Sequence, residues 1–374
     1  MSQQIDFTHT IDAKLASNIG EESISSPVQA IAELVKNAYD ADASQVWITF
    51  VGNQMYDKSA SKKITKIIIR DDGVGMTLED LQNKFFRIGT SNKLRNTISP
   101  EKGRRVVGEK GMGHVASKRL GNICKLISNP KQYSGRETST SINSTITAII
   151  NWNDFEHGLN FSDIKSKGEI APREVNETNG IQIEISDLHR FNQTLKDSKT
   201  DSLILTAEDF DNMKRSLSML LVPKHLRTNK DDEFSIRMKV PGMDDSMVEL
   251  KTSSLDMALF RLTATTKFDK EQKTSTYSYF IDKRIPSKNS PQGFIWERVE
   301  FHNKRTNSDV LEGKAFGETK LVFYHFPQGG VKKFVEEQKK LLTRKEIQTF
   351  LKFNSGIKIF KDNVRIAPFG ERGH

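Results

Sequence analysis

The chain has one cysteine, Cys124, in 374 residues. That excludes an internal disulfide and fits a reducing compartment. Cys124 lies in the strand-like run ICKLIS, where an inert buried thiol is the expected state. No apolar run approaches the roughly 18 residues that a membrane span needs. The opening MSQQIDFTHTID lacks the charged region and apolar core of a secretory signal, so a cytoplasmic location is expected. Internal repeats and coiled-coil heptads are also missing. With 36% hydrophobic and 28% charged residues the chain is globular, and its length suits two domains because single cores rarely grow past about 250–300 residues.

Acidic residues are in deficit: 57 Lys and Arg stand against 48 Asp and Glu, a net charge of +9. The excess favours an anionic partner, nucleic acid foremost. Basic pairs fall at Lys62-Lys63, Arg104-Arg105, Lys118-Arg119, Lys332-Lys333 and Lys339-Lys340. Such pairs also solvate ordinary surfaces, no known nucleic-acid motif accompanies them, and aromatics do not interleave them.

Three segments carry chemistry. Residues 30–42, AIAELVKNAYDAD, set Glu33, Asn37 and Asp40 at steps of four and three, along one stripe of a helix. Ile31, Leu34, Val35 and Ala38 supply the side to be buried. A base and a metal-binding amide on one face suit nucleotide hydrolysis; an ordinary amphipathic helix shows the same pattern. In IIIRDDGVGM, residues 67–76, a buried strand ends in a turn at Asp71-Asp72-Gly73. A carboxylate at such a turn can accept a hydrogen bond from an exocyclic amine, such as N6 of adenine, although a plain hairpin turn reads alike. In GEKGMGHVASKRL, residues 108–120, three glycines precede a helical stretch from about Val115. Backbone N–H groups and a helix start make an anion site there, with Lys110 adding charge. The loop is neither a Walker A sequence, since Glu109 and Lys110 occupy the wrong places, nor a Rossmann fingerprint.

Taken in order, these segments resemble the GHKL (Bergerat-fold) ATPases: gyrase B subunits, heat-shock chaperones, histidine kinases and MutL-type repair proteins. The stretches IAELVKNAYDADA, RIGTSNK, GEKGMGHVASKRLG and GIKIFKDNVRIAPFGE are most similar to the MORC-like branch and its prokaryotic relatives. The resemblance implies ATP and Mg²⁺ as cofactors, with Glu33 as the general base that activates water. It implies Asn37 as the Mg²⁺ ligand, Asp40 on the pocket wall, Asp71 on the adenine amine, and Gly75 and Met76 lining the base pocket. Gly108, Lys110, Gly111, Met112 and Gly113 would wrap the phosphates, and Thr90, Ser91 and Lys93 belong to the closing lid. Family members commonly have a Gly-Thr pair near adenine on a late strand; here the segment reads Asn179-Gly180-Ile181, so Thr178 must substitute or the contact is lost.

The implied fold is α+β: a Bergerat-type sandwich over 1–225, with an N-terminal dimerisation segment and ATP lid, then a ribosomal-protein-S5-type transducer domain over 226–374. Between them a helix from about Ala207 to Leu221, with Phe210, Met213, Leu217, Leu220 and Leu221 at helical spacing, is expected to bridge the domains. Residues 54–63 and 129–145 read as polar loops, and 156–178 as another polar stretch. Past Asp231, strands including a hairpin around Asp269–Glu271 precede a helix over about Val331–Phe353 and a last strand. By resemblance, Lys361 or Arg365 reaches back to the terminal phosphate, Arg365 preferred.

The function implied is a slow Mg²⁺-dependent ATP hydrolase acting as an ATP-gated homodimeric clamp in repair, chromosome handling or defence against foreign DNA. A chaperone-type ATPase acting on protein clients is the alternative. A histidine kinase lacks its phosphoacceptor hairpin here, and an intact Glu33 argues against a mere nucleotide sensor. Related sequences usually continue past the closing GERGH, so a further effector domain or a separate effector protein is expected, with no membrane partner.

Overall fold

The computed structural model describes residues 24, 26–53, 62–87, 97–107, 115–137, 139–156, 160–191, 196–197, 202–221, 232–244, 246–250, 258–269, 274–287, 289, 294–307, 319–325, 360–361 and 364–365. Contacts divide the chain into two units, one of residues 1–252 with 358–369, the other of 253–357 with 370–374.

The first unit is a sheet with helices on one face. Its strands are β1 (Gln45–Asn53), β2 (Lys62–Asp71), β3 (Gly121–Asn129), β4 (Ser144–Asn151), β5 (Lys167–Pro172), β6 (Gly180–Leu188), β7 (Lys196–Asp197), β8 (Ser202–Leu205), β9 (Ser235–Lys239) and β10 (Val248–Glu249). The order is β10-β9-β1-β2-β6-β3-β4-β5, with β8 beside β2 and β7 beside β8. Every pairing is antiparallel except β1 with β9. Because β9 and β10 extend this sheet, the first unit runs to Thr252, beyond the boundary expected near residue 225.

Alternation assigns the faces. Val46, Ile48 and Phe50 of β1, Ile67 and Ile69 of β2, Cys124 and Leu126 of β3 and Ile183 and Ile185 of β6 are buried in one core. Cys124 is fully buried, and burial pushes its thiol up to about 11, so it is the inert thiol expected. Helices α1 (Pro27–Asp40), α2 (Ala116–Leu120) and α3 (Ala207–Ser218) pack on that face. In α3 the expected apolar positions Phe210, Met213 and Leu217 are buried, and Phe210 meets Phe50 edge to face with centroids 5.1 Å apart. A capping box between Thr206 and Asp209 starts this helix.

Two polar stretches turn out to be structured. Lys167–Pro172 forms the edge strand β5 with every residue exposed, a position that tolerates Pro172. Within 129–145, the side chain of Arg136 is 6% exposed and makes contacts described below.

The second unit contains an antiparallel sheet of order β13-β12-β11-β14, from β11 (Phe260–Asp269), β12 (Thr274–Pro286), β13 (Phe294–Asn307) and β14 (Thr319–His325). The expected hairpin is present, with Asp269 opposite Thr274. The helix expected over 331–353 and the N-terminal dimerisation segment lie outside the described residues. No helix among the described residues is long and apolar enough to cross a membrane.

Candidate functional site

Helix α1 carries the first half of the site. Ser26 caps its N-terminus by accepting the Gln29 N–H at 3.2 Å, and Pro27 takes the first turn, where no N–H is needed. Ala30, Ile31, Ala32, Leu34, Val35, Lys36, Ala38 and Tyr39 are buried, whereas Glu33, Asn37 and Asp40 are only half-buried. The stripe read from the sequence is therefore the open side of an otherwise enclosed helix.

Lys36, which the sequence reading passed over, is 8% exposed at its side chain, and its Nζ donates to Glu33 Oε1 at 2.8 Å. A lysine on the buried side of an amphipathic helix was the available signal. The pair fixes one carboxylate oxygen of Glu33 and leaves the side chain 32% exposed.

The C-terminal end of α1 is clamped. Asp42 takes a left-handed φ of 62°, which a short polar side chain tolerates. Its carboxylate accepts from the Ser99 hydroxyl and from the Glu101 and Lys102 N–H groups. Arg104, 2% exposed at its side chain, forks onto Asp232 and donates to the carbonyls of Tyr39 and Ala43 at 3.0 and 2.7 Å. Its guanidinium lies 4.2 Å from the centroid of the Tyr39 ring. Arg104 is thus an internal strut and not part of a basic surface. Lys118 is likewise buried, with Glu156 at 3.6 Å, so two of the expected basic pairs each lose a member to the interior. Asp40 accepts the Val107 N–H at 2.7 Å, tying α1 to the residue just before the Gly-rich stretch.

The second half of the site is the end of β2. Asp71 is 9% exposed, and its Oδ1 accepts N–H groups from Gly73 at 2.9 Å and Ile181 at 3.2 Å. Its Oδ2 has no hydrogen bond among the described residues. Burial, helped by the charge of Asp72, raises its pKa from 3.8 to about 6 against those two hydrogen bonds. Asp72 turns the other way and accepts from the Ser44 and Gln45 N–H groups, fixing the start of β1.

Two glycines make this geometry possible. Gly75 has φ 60°, and a Cβ there would stand 2.4 Å from the Asn129 carbonyl. Gly180 has φ 119°, and its Cβ would stand 2.1 Å from the Asp71 carbonyl. Gly180 therefore lets β6 lie against the aspartate, a role for Asn179-Gly180-Ile181 that local sequence did not reveal. Met76 is half-buried, its N–H and carbonyl both bound to the Ser128 hydroxyl at 2.8 Å. Arg136 fastens the loop by donating to the carbonyls of Val74 and Gly75 and to Asp80.

Thr178 is exposed, its hydroxyl accepting from Arg70 and its carbonyl from Asn129. Lys361 and Arg365 lie in the short hairpin of β15 (Phe360–Lys361) and β16 (Val364–Arg365), for which only the backbone is described. Thr90, Ser91, Lys93, Gly108, Lys110, Gly111, Met112 and Gly113 lie outside the described residues. No group of three His, Cys, Asp or Glu side chains among the described residues gathers to hold a metal ion.

Comparison with known proteins meets this geometry. The chain is 35% identical over 114 residues to the Herpetosiphon aurantiacus protein named "Putative type II restriction enzyme HgiDII", a match covering 30% of this chain and 16% of that protein. The chain therefore spans well under two thirds of that relative. Residues 24–167 match the family described as "Histidine kinase-, DNA gyrase B-, and HSP90-like ATPase". The matched stretch holds the helix with Glu33 and Asn37, the buried Asp71 and the Gly-rich segment, and it is a GHKL-type ATPase domain.

Proposed function

We propose that this chain is a slow, Mg²⁺-dependent ATP hydrolase whose nucleotide state gates a homodimer, in the service of a DNA-associated process. The carrying observation is the buried Asp71, one of whose oxygens has no hydrogen bond among the described residues, set in the same domain as the half-buried stripe of Glu33, Asn37 and Asp40. That oxygen fits the exocyclic amine of adenine, and Gly75 and Met76 form the adjoining wall. Glu33 would orient and deprotonate the attacking water, held by Lys36 so that its free oxygen faces the phosphates. Asn37 fits Mg²⁺, which binds through one or two protein groups together with nucleotide phosphates. When bound, the ion neutralises developing phosphate charge. Asp40, through Val107, couples the helix to the Gly-rich stretch expected to wrap the phosphates.

The second unit fits a transducer by its antiparallel sheet, and the Lys361–Arg365 hairpin groups by contact with the first unit. Arg365 is the preferred contact to the terminal phosphate. The DNA association draws on the net charge and on the name of the Herpetosiphon aurantiacus relative.

Thermal unfolding with Mg²⁺-ATP, alongside phosphate release, tests the reading. Ligand at a hundred times its dissociation constant stabilises the native state by about 2.7 kcal/mol. Glu33→Ala should keep that stabilisation while turnover falls at least roughly a hundredfold. Unchanged turnover would remove Glu33 from the base role, and no stabilisation by any adenine nucleotide would refute the ATPase reading. A non-hydrolysable analogue that leaves the sedimentation of the protein unchanged would refute the clamp.

A further inference from the structure

The face of the first sheet turned away from the helices presents a row drawn from four strands. By register, Arg237 of β9 stands beside Trp47 of β1, Trp47 beside Arg70 of β2, and Arg70 beside Gln182 of β6. These side chains share a face because their strand neighbours Ile236, Val46, Ile48, Ile69 and Ile183 are buried on the other. Trp47, Thr49, Ile68, Arg70, Gln182 and Met247 line a cavity of about 310 Å³ there.

The row is short of internal partners for its charge. Neither arginine forms an ion pair among the described residues, and the buried Nε of Arg237 has no hydrogen-bond partner. Arg70 reaches over Trp47, its guanidinium carbon 5.8 Å from the ring centroid, and among the described residues donates only to the Thr178 hydroxyl. Lys239 stands beside Thr49 and Lys125 beside Glu184 on the same face. Among the described strand residues the acidic side chains of that face are Glu184, already held by Lys66 at 2.9 Å, and the exposed Glu169 and Glu249 toward the two sheet edges, while Glu177, beside Thr178, accepts from Thr145 of β4. No ion pair joins Glu249 to Arg237 among the described residues.

We propose that this row binds a single strand of nucleic acid, with a base against Trp47 and the adjoining phosphates on Arg70 and Arg237. The proposal deepens the nucleic-acid association above and names its surface. Guanidinium groups match phosphate oxygens in pairs, and an indole between them is the stacking platform that single-strand binders use. The two arginines sit two strand spacings apart, roughly 10 Å, on either side of the ring. A duplex keeps its bases stacked on one another and offers none to Trp47, so single strands are the favoured form.

The test is fluorescence anisotropy of a labelled oligothymidylate with the full chain, in a salt series, against a duplex competitor. Trp47→Ala should weaken binding by about fivefold to a hundredfold, the range of one lost base stack, and Trp47→Phe should retain most of it. Arg237→Gln should lower the slope of log affinity against log salt by about 0.7. ATP turnover of these variants should stay at the wild-type level, which shows that they fold. Oligonucleotide binding that is indifferent to Trp47→Ala and Arg237→Gln would overturn the surface and leave the association standing. A chain that binds no oligonucleotide at all would overturn both.

Discussion

Replacing Asp71 by asparagine should make the protein more stable above pH 6 while abolishing its hold on nucleotide. Burial, the dominant cause, raises the Asp71 pKa from 3.8 to about 6, with Asp72 adding to it. A group whose native pKa exceeds its unfolded value binds protons more tightly in the native state. Stability from it is therefore fully present below about pH 4, falls as pH rises toward 6, and stays low above that. The rise corresponds to about 3 kcal/mol carried as a cost at pH 8. Asparagine is neutral throughout, and its carbonyl can still accept the Gly73 and Ile181 N–H groups that Asp71 Oδ1 accepts at 2.9 and 3.2 Å. Urea unfolding followed by tryptophan fluorescence from pH 4 to pH 8 would measure the gap between the two proteins. It should open to about 2–3 kcal/mol in favour of Asp71→Asn at pH 8 and close near pH 4. In the same samples Mg²⁺-ATP should stabilise only the wild type. A variant less stable than wild type at pH 8, or a gap that ignores pH, would refute the argument that Asp71 is a strained buried charge kept for its ligand.

Two further substitutions probe the frame around the site. Arg104→Ala strands Asp232 without its buried partner and should cost about 3–5 kcal/mol in urea unfolding; a loss below about 1 kcal/mol would show that the pair is solvated like an exposed one. Gly180→Ala forces a methyl to 2.1 Å from the Asp71 carbonyl at φ 119°. It should lower the thermal midpoint by several degrees and weaken nucleotide binding along with it, and a midpoint within a degree of wild type would contradict the packing of β6 on Asp71.

Local sequence was enough wherever one element carried the signal. Spacing by four and three placed Glu33, Asn37 and Asp40 on one stripe, and the half-exposure of those three on a buried helix follows from that spacing. The run of isoleucines before Asp71 likewise read directly as a buried strand with a carboxylate at its end. Helix α3 was legible in the same way from Phe210, Met213 and Leu217.

Tertiary structure decided what depends on residues far apart in the chain. Burial raises the Asp71 pKa, and the Ile181 N–H that partly offsets it comes from β6, 110 positions later, through a glycine whose missing Cβ admits the strand. Arg104 read as surface charge, yet folding brings Asp232 to it across 128 positions and makes it a buried strut. The row Arg237–Trp47–Arg70–Gln182 is spread across four strands, none of which alone shows a binding pattern. Periodicity acts over a few residues and so determined the elements and the stripe; which charges are buried, paired or left facing outward depends on strand register, which only the folded sheet supplies.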